Sequence, residues 1–244
     1  MQHNTAYEID LSVVIACYNE AEHIEQSLPT LEASLQASGL VYELIVIDDC
    51  SADHTAKILH QLFDHRDDVQ VIFHAENQGR GATVQEGLML ASGEVIGFLD
   101  IDLEVGPWYI LPAIDHIKRH QTDMIVAHRI YKLQMHPTVL TRHILSVGYR
   151  ILVHAMLDVP IRDSEAGFKF FRRSTIMPVL EKCQDKGWFW DTEVVYLAHL
   201  KGLKLNEIPC LFLRRPEKTS TVNLVADTWQ YFKSLRAFQK RLDR

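Results

Sequence analysis

Five short apolar runs, rich in β-branched residues, divide the first 130 residues of the chain. They are LSVVI (11–15), LIVI (44–47), VQVIF (69–73), VIGFL (95–99) and MIVA (124–127). Helix-like segments separate them, near residues 20–38, 54–64, 80–91 and 107–120. Near-continuous apolar strands that alternate with helices are typical of a mostly parallel sheet covered on both faces. The pattern therefore predicts an α/β fold of the Rossmann-like class.

The second half of the chain has a different pattern. Residues 138–157 have the spacing of an amphipathic helix, and the aromatic segment DSEAGFKFF (163–171) follows them. Further helices are predicted near 174–183 and 190–201, a short strand over 203–208, and an amphipathic helix over 222–242. Since no linker composition interrupts the chain, we predict one domain over residues 1–215 with a C-terminal amphipathic helical extension over 216–244.

Two helix starts carry capping signals. Asn19 is followed three residues later by Glu22, which is the spacing of a capping box before the first helix. Ser51 and Asp53 precede the second helix, and either side chain can accept a hydrogen bond from its first turn. We therefore expect Asn19 to cap the first helix, and Ser51 or Asp53 the second.

Composition limits the classes of protein that the chain can belong to. Hydrophobic residues make up 47% of its 244 residues, which is enough for a full core. No apolar run reaches the roughly 18 residues of a membrane-spanning helix, and the first residues lack the features of a signal peptide. We therefore expect a cytoplasmic protein, with peripheral contact to the cytoplasmic membrane face left open. Cys17, Cys50, Cys183 and Cys210 are widely spaced, which predicts free thiols and no zinc site.

Charge is divided unevenly between the two halves. Residues 1–122 contain 5 Lys and Arg against 20 Asp and Glu, whereas residues 123–244 contain 20 against 12. The acidic first half argues against nucleic acid as a partner. The basic second half favours contact with phosphates or an anionic surface, with a merely solvated face as the alternative.

Polar clusters follow all five predicted strands. They are CYNE, DDCSADHT, ENQGRG, DIDLE and HR, in chain order. Ligands of open α/β sheets bind beyond the carboxyl ends of the strands. Because parallel strands bring these ends to one edge, the five clusters predict a single site there.

The cluster after the fourth strand contains three acids at alternate positions, Asp100, Asp102 and Glu104. On an extended backbone, alternate side chains point to one side. Carboxylates are preferred ligands of Mg²⁺ and Mn²⁺, which commonly bridge one or two of them to substrate phosphates. The segment therefore predicts a metal–diphosphate site, with a helix-capping loop as the alternative.

The segment NQGRGATVQEG (77–87) superficially resembles a dinucleotide-binding fingerprint. Its spacing is G-x-G-x-x-V and it follows the third strand, so a Rossmann cofactor site is disfavoured. Its glycines permit close backbone approach, and Arg80 supplies a cation at a helix start, which suits a phosphate or sugar. A plain turn is the alternative.

Five motifs together resemble a known family. VVIACYNEAEHI, ELIVIDDCSADHT, ENQGRGATVQEG, ASGEVIGFLDIDLE and DSEAGFKFFRR are similar, in order and spacing, to family 2 glycosyltransferases of the GT-A fold. Within that family the likeness is greatest to the dolichyl-phosphate mannose and glucose synthases, and it covers roughly residues 10–215. Two departures are Ala16–Cys17, where the family usually has Pro, and AHR at 127–129 in place of GSR.

The resemblance implies a role for each matching residue. It implies a nucleotide-sugar site formed by Tyr18, Glu20, Asp48, Asp49, Arg80, Asp100 and Lys218. It implies that Mg²⁺ or Mn²⁺ is held by Asp100, Asp102 and Glu104. It implies an acceptor-phosphate site formed by Arg129, Arg142 and Ser146. It implies catalytic roles for Asp102, Arg129, Arg142 and Asp163, with Asp163, Gly167 and Phe168 near the sugar.

The activity implied is metal-dependent, inverting transfer of a hexose from a nucleotide diphosphosugar, of the GDP-mannose or UDP-glucose type, to a polyprenyl phosphate. One alternative is a saccharide or small-molecule hydroxyl acceptor, with Asp191 as the general base. Another is an inactive sugar-nucleotide-binding module. Residues 138–157 and 222–242 are candidates for membrane-surface contact, against packing of the tail on the domain. Trp188 and Trp190 are expected in the core, with sugar stacking as the alternative.

Overall fold

A computed structural model describes residues 8–66, 68–131, 157, 159–213 and 224–242. Its centre is a seven-stranded sheet with the order β3-β2-β1-β4-β6-β5-β7. The strands are β1 (Leu11–Cys17), β2 (Tyr42–Asp48), β3 (Val69–Phe73), β4 (Val95–Leu99), β5 (Met124–Tyr131), β6 (Phe168–Arg172) and β7 (Leu205–Phe212). Only β6 runs antiparallel to its neighbours, so the predicted mostly parallel sheet is confirmed.

Helices connect and cover the strands. They are α1 (Ala21–Ala37), α2 (Thr55–Phe63), α3 (Arg80–Leu90), α4 (Ile110–Arg119), α5 (Arg173–Leu180), α6 (Trp190–Leu200) and α7 (Leu224–Leu242), with a 3₁₀ turn over Pro107–Tyr109 before α4. The strands of the sheet centre are almost entirely buried. These are the near-continuous apolar runs of the sequence, as expected for strands packed on both faces.

Strand β6 is the element that the sequence pattern missed. It lies between β4 and β5, so β5 keeps the direction of β4 and its carboxyl end reaches the same edge. Gly97 of β4 pairs with Phe170 of β6, whose ring occupies the space that a Cβ at Gly97 would take. The aromatic segment FKFFR contains no apolar β-branched run. Its lysine is buried together with the aromatic residues, so the segment also lacks the polar–apolar alternation of a half-buried strand.

The predicted cap of α1 was wrong. Asn19 adopts a left-handed conformation with φ of 55° at the end of β1, and its side-chain oxygen accepts a hydrogen bond from Ala52 N–H at 2.8 Å. Asp53 instead accepts hydrogen bonds from Ala21 N–H (3.1 Å) and Thr55 N–H (2.9 Å), the first residues of α1 and α2. One carboxylate thus joins two helix starts beside the site edge, a tertiary contact that local spacing does not reveal.

The C-terminal helix α7 packs on the domain. Leu235 and Phe238 are buried, and the Phe238 ring makes edge contacts with the rings of Phe189 and Tyr196. Arg241 forms an ion pair with Glu193, a buried residue of α6. Packing is therefore one function of this amphipathic helix. Among the described helices, none is long and apolar enough to cross a membrane.

All four cysteines are free thiols, as predicted. Burial raises the pKa of Cys17 well above its ordinary value and raises the pKa of Cys210 to about 12. Protonated, buried thiols behave as small apolar side chains.

Candidate active site

A small cavity lies at the carboxyl end of β4 and is called the acid cavity below. Its volume is about 50 Å³, and it is lined by Asp100, Asp102, Glu104, Val105, Arg129, Gly167 and Phe212. Three elements meet there: the turn after β4, the end of β5, and the loop before β6, with β7 at the side. The acidic segment, Arg129 and Gly167, all predicted from sequence, are therefore brought together.

The three acids lie in a tight turn, not on an extended strand, so that part of the prediction was wrong. Leu103 has a positive φ of 51°, and its N–H bonds to the carbonyl oxygen of Asp100 at 3.0 Å. Leu103 and Asp102 are each only 7% exposed. Leu103 packs in the core, and the turn buries Asp102 as well. All three acids still line the acid cavity.

Arg80 supplies a cation in direct contact with the acidic turn. As the first residue of α3, it donates to Asp100 Oδ1 from Nη2 at 2.7 Å, and it pairs with Asp191 through Nη1. Burial lowers the pKa of the guanidinium, but the two carboxylates outweigh this effect and raise it. The rings of Phe98 and Trp188 lie 5.6 and 5.0 Å from its Cζ atom. Arg80 is therefore held charged in one place.

Lys169 completes this group and was missed by the sequence reasoning. It is fully buried on β6, where Nζ pairs with Asp191 Oδ1 and donates to the carbonyl oxygen of Ala166 at 2.6 Å. Burial lowers the pKa of Lys169, against the attraction of Asp191. We call Arg80, Asp100, Lys169 and Asp191 the charge quartet. The only sequence signal for Lys169 is a lone lysine inside an aromatic run.

The glycines around Arg80 serve packing within the protein. A Cβ at Gly79, which has a φ of 94°, would lie 2.5 Å from the carbonyl oxygen of Lys186. A Cβ at Gly81 would lie 2.5 Å from the Cβ of Trp190. The close backbone approach expected from the sequence is therefore to the loop before α6. It sets the position of Arg80.

Arg129 and Asp163 form a two-pronged ion pair behind the acid cavity. The Nε and Nη2 atoms of Arg129 each donate to the Asp163 carboxylate at 2.7 Å, and the Arg129 backbone N–H donates to it at 3.2 Å. Burial lowers the pKa of Arg129, but Asp163 outweighs this and holds it well above its ordinary value. Asp163 is fully buried, so in this structure it orients Arg129. Phe168, expected near the sugar, lies in the core.

The predicted nucleotide residues follow β1 and β2. Tyr18 is 46% exposed, whereas Asp48 and Asp49 are each 3% exposed. Asp48 accepts a hydrogen bond from Ser51 N–H at 3.2 Å, and Asp49 accepts them from Gln78 and Gly79 N–H at 2.8 and 2.9 Å. The two aspartates therefore shape the loops at the site edge. Glu20 joins the same edge through its N–H, which donates to Thr55 Oγ1 at 2.9 Å.

His74 links the Asp49 loop to α3. Its Nδ1 lies 2.7 Å from Asp49, and its Nε2 lies 3.0 Å from Glu86. Burial lowers the pKa of His74, but the two carboxylates outweigh it and the pKa is raised.

A metal at this site must be shared with a ligand. Among the described residues, no group of three or more His, Cys, Asp or Glu side chains is arranged to hold a metal ion alone. Mg²⁺ is commonly bound by one or two carboxylates together with substrate phosphates. Asp100 and Asp102 provide that donor set at the acid cavity, so the residues fit an ion completed by a diphosphate. Arg142, Ser146 and Lys218 lie outside the described residues, and their roles stay predictions.

Solved structures of sugar-transferring enzymes share this fold. Glucosyl-3-phosphoglycerate synthase from Mycobacterium tuberculosis, solved with Mn²⁺, UDP and phosphoglyceric acid, matches with a TM-score of 0.70 at 18% identity, covering 94% of this chain and 78% of that chain. Mannosyltransferase PcManGT from Pyrobaculum calidifontis, solved with GDP-Man and Mn²⁺, gives 0.56 at 14% identity, covering 88% and 62%. The sheet and its helices thus have the GT-A class of glycosyltransferase fold.

The sequence assigns the chain within that class. The family model of Glycosyl transferase family 2 matches residues 12–179, more than half of the chain. The chain therefore belongs to glycosyl transferase family 2, which confirms the resemblance in its motifs.

Two kinds of curated relative are similar to most of the chain. Glycosyltransferase AglD from Haloferax volcanii is 28% identical over 227 residues, which are 91% of this chain and 36% of AglD. Dolichyl-phosphate beta-glucosyltransferase is 28% identical over 229 residues in Saccharomyces cerevisiae, covering 85% of this chain and 68% of that protein. The human enzyme of that name is 29% identical over 221 residues, covering 81% and 65%. The chain thus spans about a third of AglD and about two thirds of the glucosyltransferases.

Proposed function

We propose that the chain is a metal-dependent, inverting glycosyltransferase that moves a hexose from a nucleotide diphosphosugar to a polyprenyl phosphate. The observation that carries the proposal is the acid cavity, where Asp100, Asp102 and Glu104 meet Arg129 at the ligand-binding edge of the sheet. The relatives named dolichyl-phosphate beta-glucosyltransferase support a polyprenyl phosphate acceptor, and they favour glucose as the hexose.

The acidic turn would hold the donor diphosphate through Mg²⁺ or Mn²⁺. Such an ion supplies positive charge that stabilises the departing diphosphate. Asp100 and Asp102 would bind it, and Arg80 would add a second, permanently charged group beside them. Asp102 is buried, and the low polarity around it would strengthen its interaction with a bound cation.

The transfer itself needs little proton chemistry. An oxygen of the acceptor phosphate attacks the anomeric carbon while the bond from that carbon to the leaving phosphate oxygen breaks. The bonding electron pair departs with the nucleoside diphosphate. Since the phosphate nucleophile is already anionic near neutral pH, no protein group has to remove a proton. In-line attack inverts the anomeric centre, so an α-linked donor gives a β-linked product.

Arg129 would hold the acceptor phosphate in this scheme. Its guanidinium lines the acid cavity and is locked by Asp163 from behind. A fixed guanidinium is suited to orient a phosphate. Arg142 and Ser146 would complete this acceptor-phosphate site, as the resemblance implies.

The alternative hydroxyl acceptor requires a general base, and the structure disfavours Asp191 for that role. Asp191 is 1% exposed, with one carboxylate oxygen paired to Lys169 and the other to Arg80. Both cations would stabilise the carboxylate and weaken it as a base. An acceptor that needs no deprotonation agrees better with this geometry.

The test is transfer to a lipid acceptor. UDP-glucose and GDP-mannose are each incubated with the protein, polyprenyl phosphate in detergent, and either Mg²⁺, Mn²⁺ or EDTA, and glycolipid is measured in the organic extract. We expect product only with metal, and a loss of about 100-fold in Asp102→Asn, the scale of losing one group that stabilises the transition state.

Asp115→Asn is the matched control, because Asp115 is half-exposed on α4 and lines no part of the acid cavity. Its turnover should equal that of the wild type. Undiminished transfer in EDTA, or in Asp102→Asn, would overturn metal dependence. Transfer to soluble acceptors but never to polyprenyl phosphate would overturn the acceptor class.

A further inference from the structure

A second, larger cavity lies between helix α7 and the loop that leads into α6. Its volume is about 200 Å³, and it is lined by Asp185, Lys186, Gly187, Trp188, Phe189, Gln230, Tyr231 and Ser234. The acid cavity and its metal–diphosphate chemistry do not use any of these residues. We call this second cavity the tryptophan cavity.

The loop that forms one wall is held in place by a buried carboxylate. Glu193 is 1% exposed and accepts hydrogen bonds from Gln184 N–H at 3.0 Å and Asp185 N–H at 2.7 Å. Asp185 in turn accepts a hydrogen bond from Gly187 N–H at 2.8 Å. The loop is therefore preformed, which reduces the entropy cost of binding.

Helix α7 forms the opposite wall and is tied to the same loop. Ser234 Oγ donates to the Asp185 carboxylate at 2.8 Å, and the Tyr231 hydroxyl donates to the Trp188 carbonyl oxygen. The Arg241–Glu193 ion pair anchors the far end of the helix. The C-terminal helix thus completes a cavity that the rest of the domain would leave open.

Trp188 connects the tryptophan cavity to the donor side of the site. It is 42% exposed, in contrast to the fully buried Trp190 two residues later. Its ring lies 5.0 Å from Arg80 Cζ, and Arg80 contacts Asp100 at 2.7 Å. One guanidinium therefore separates the aromatic wall from the acidic turn, so a group attached to a diphosphate there is within reach of Trp188.

We propose that the tryptophan cavity binds a hexopyranose, and that this sugar is the hexose of the donor; the assignment to the donor rests on the proposed function. An exposed indole offers a flat apolar face to the C–H face of a sugar ring. Gln230, Tyr231 and Ser234 place amide and hydroxyl groups around it, which suits the few oriented polar contacts of a small-molecule site.

The charge of the walls favours a neutral sugar over an anion. Asp185 and Lys186 contribute one charge of each sign, and neighbouring Arg80 is compensated by two carboxylates. A phosphate or other anion would gain no net attraction there. The cavity therefore fits the uncharged part of a nucleotide sugar, while the acid cavity fits the charged part.

The test separates the sugar from the nucleotide. Calorimetry with Mn²⁺ measures UDP against UDP-glucose and GDP against GDP-mannose on wild type, Trp188→Ala and Gln230→Ala. We expect the sugar to improve affinity by about threefold to tenfold in the wild type, the scale of one aromatic contact. That increment should disappear in Trp188→Ala and shrink in Gln230→Ala, with nucleoside diphosphate affinity unchanged in Gln230→Ala.

Trp108→Ala is the matched control, because Trp108 is 52% exposed and lines neither cavity. It should retain the full increment. An increment that survives in both Trp188→Ala and Gln230→Ala, or an equal loss of affinity for nucleotide and nucleotide sugar, overturns the proposal.

Saturation-transfer NMR with free glucose and mannose tests hexose binding without a nucleotide sugar. If no nucleotide binds, the proposed function fails, yet a hexose signal that Trp188→Ala abolishes and Trp108→Ala preserves would still support a hexose site. Absence of both nucleotide and hexose binding overturns the two proposals together.

Discussion

The buried Lys169–Asp191 ion pair predicts that the losses of unfolding free energy in two single variants do not add up in the double variant. In Asp191→Asn the Lys169 ammonium stays fully buried, with the Ala166 carbonyl oxygen as a hydrogen-bond acceptor and the Arg80 cation close by. Removing one member of a buried ion pair costs about 3–5 kcal/mol of unfolding free energy. Asp191→Asn should therefore lower the free energy of unfolding by about 3–5 kcal/mol.

Lys169→Met should cost less, about 1–3 kcal/mol, because Asp191 keeps its pairing with Arg80 while the ammonium and its carbonyl bond are lost. The double variant Lys169→Met/Asp191→Asn removes both buried charges, and Arg80 retains Asp100. It should be more stable than Asp191→Asn alone, so the coupling energy should exceed the cost of Lys169→Met measured by itself.

Urea unfolding at fixed pH measures the four stabilities, provided that the slopes m agree between variants. The control cycle uses Lys118 and Asp10, which bond at 3.1 Å but are 31% and 37% exposed. Its coupling should stay below about 1 kcal/mol. If Lys169→Met further destabilises Asp191→Asn by its full single-variant cost, the pair is not coupled and the reasoning is refuted.

Two further predictions concern the loops of the site. Gly167→Ala places a methyl group against the Asp100 carboxylate. We therefore expect a loss of about 1–3 kcal/mol in stability, and weaker Mn²⁺-dependent nucleotide binding when it is measured by calorimetry. Unchanged stability and binding would contradict this packing. Asp49 and Glu86 raise the folded-state pKa of His74. The contribution of His74 to stability is therefore fully present below its unfolded pKa and is lost as pH rises through the folded value. Urea unfolding should therefore show a larger cost of His74→Asn at pH 5.5 than at pH 8.5; equal costs at both pH values would contradict the prediction.

Local sequence patterns were sufficient for the elements whose environment is uniform. Strands β1, β2 and β4 are almost entirely buried, so their apolar runs identified them without reference to neighbours. The sequence pattern did not predict strand β6, because contacts with neighbouring elements determine that strand. Phe170 needs the open space over Gly97, and Lys169 needs Asp191, and both partners are far away in the chain.

The candidate site shows the same difference between what local sequence patterns predict and what tertiary contacts determine. The sequence alone determined that acids and cations end the strands of one sheet, and hence predicted which edge binds the ligand. Only the tertiary structure decided what those groups contact: Arg129 is locked by Asp163, Arg80 joins Asp100 to Asp191, and the C-terminal helix closes a cavity over Trp188. Periodicity reports burial along one element, whereas ion pairs and cavities depend on distances between residues up to 111 positions apart.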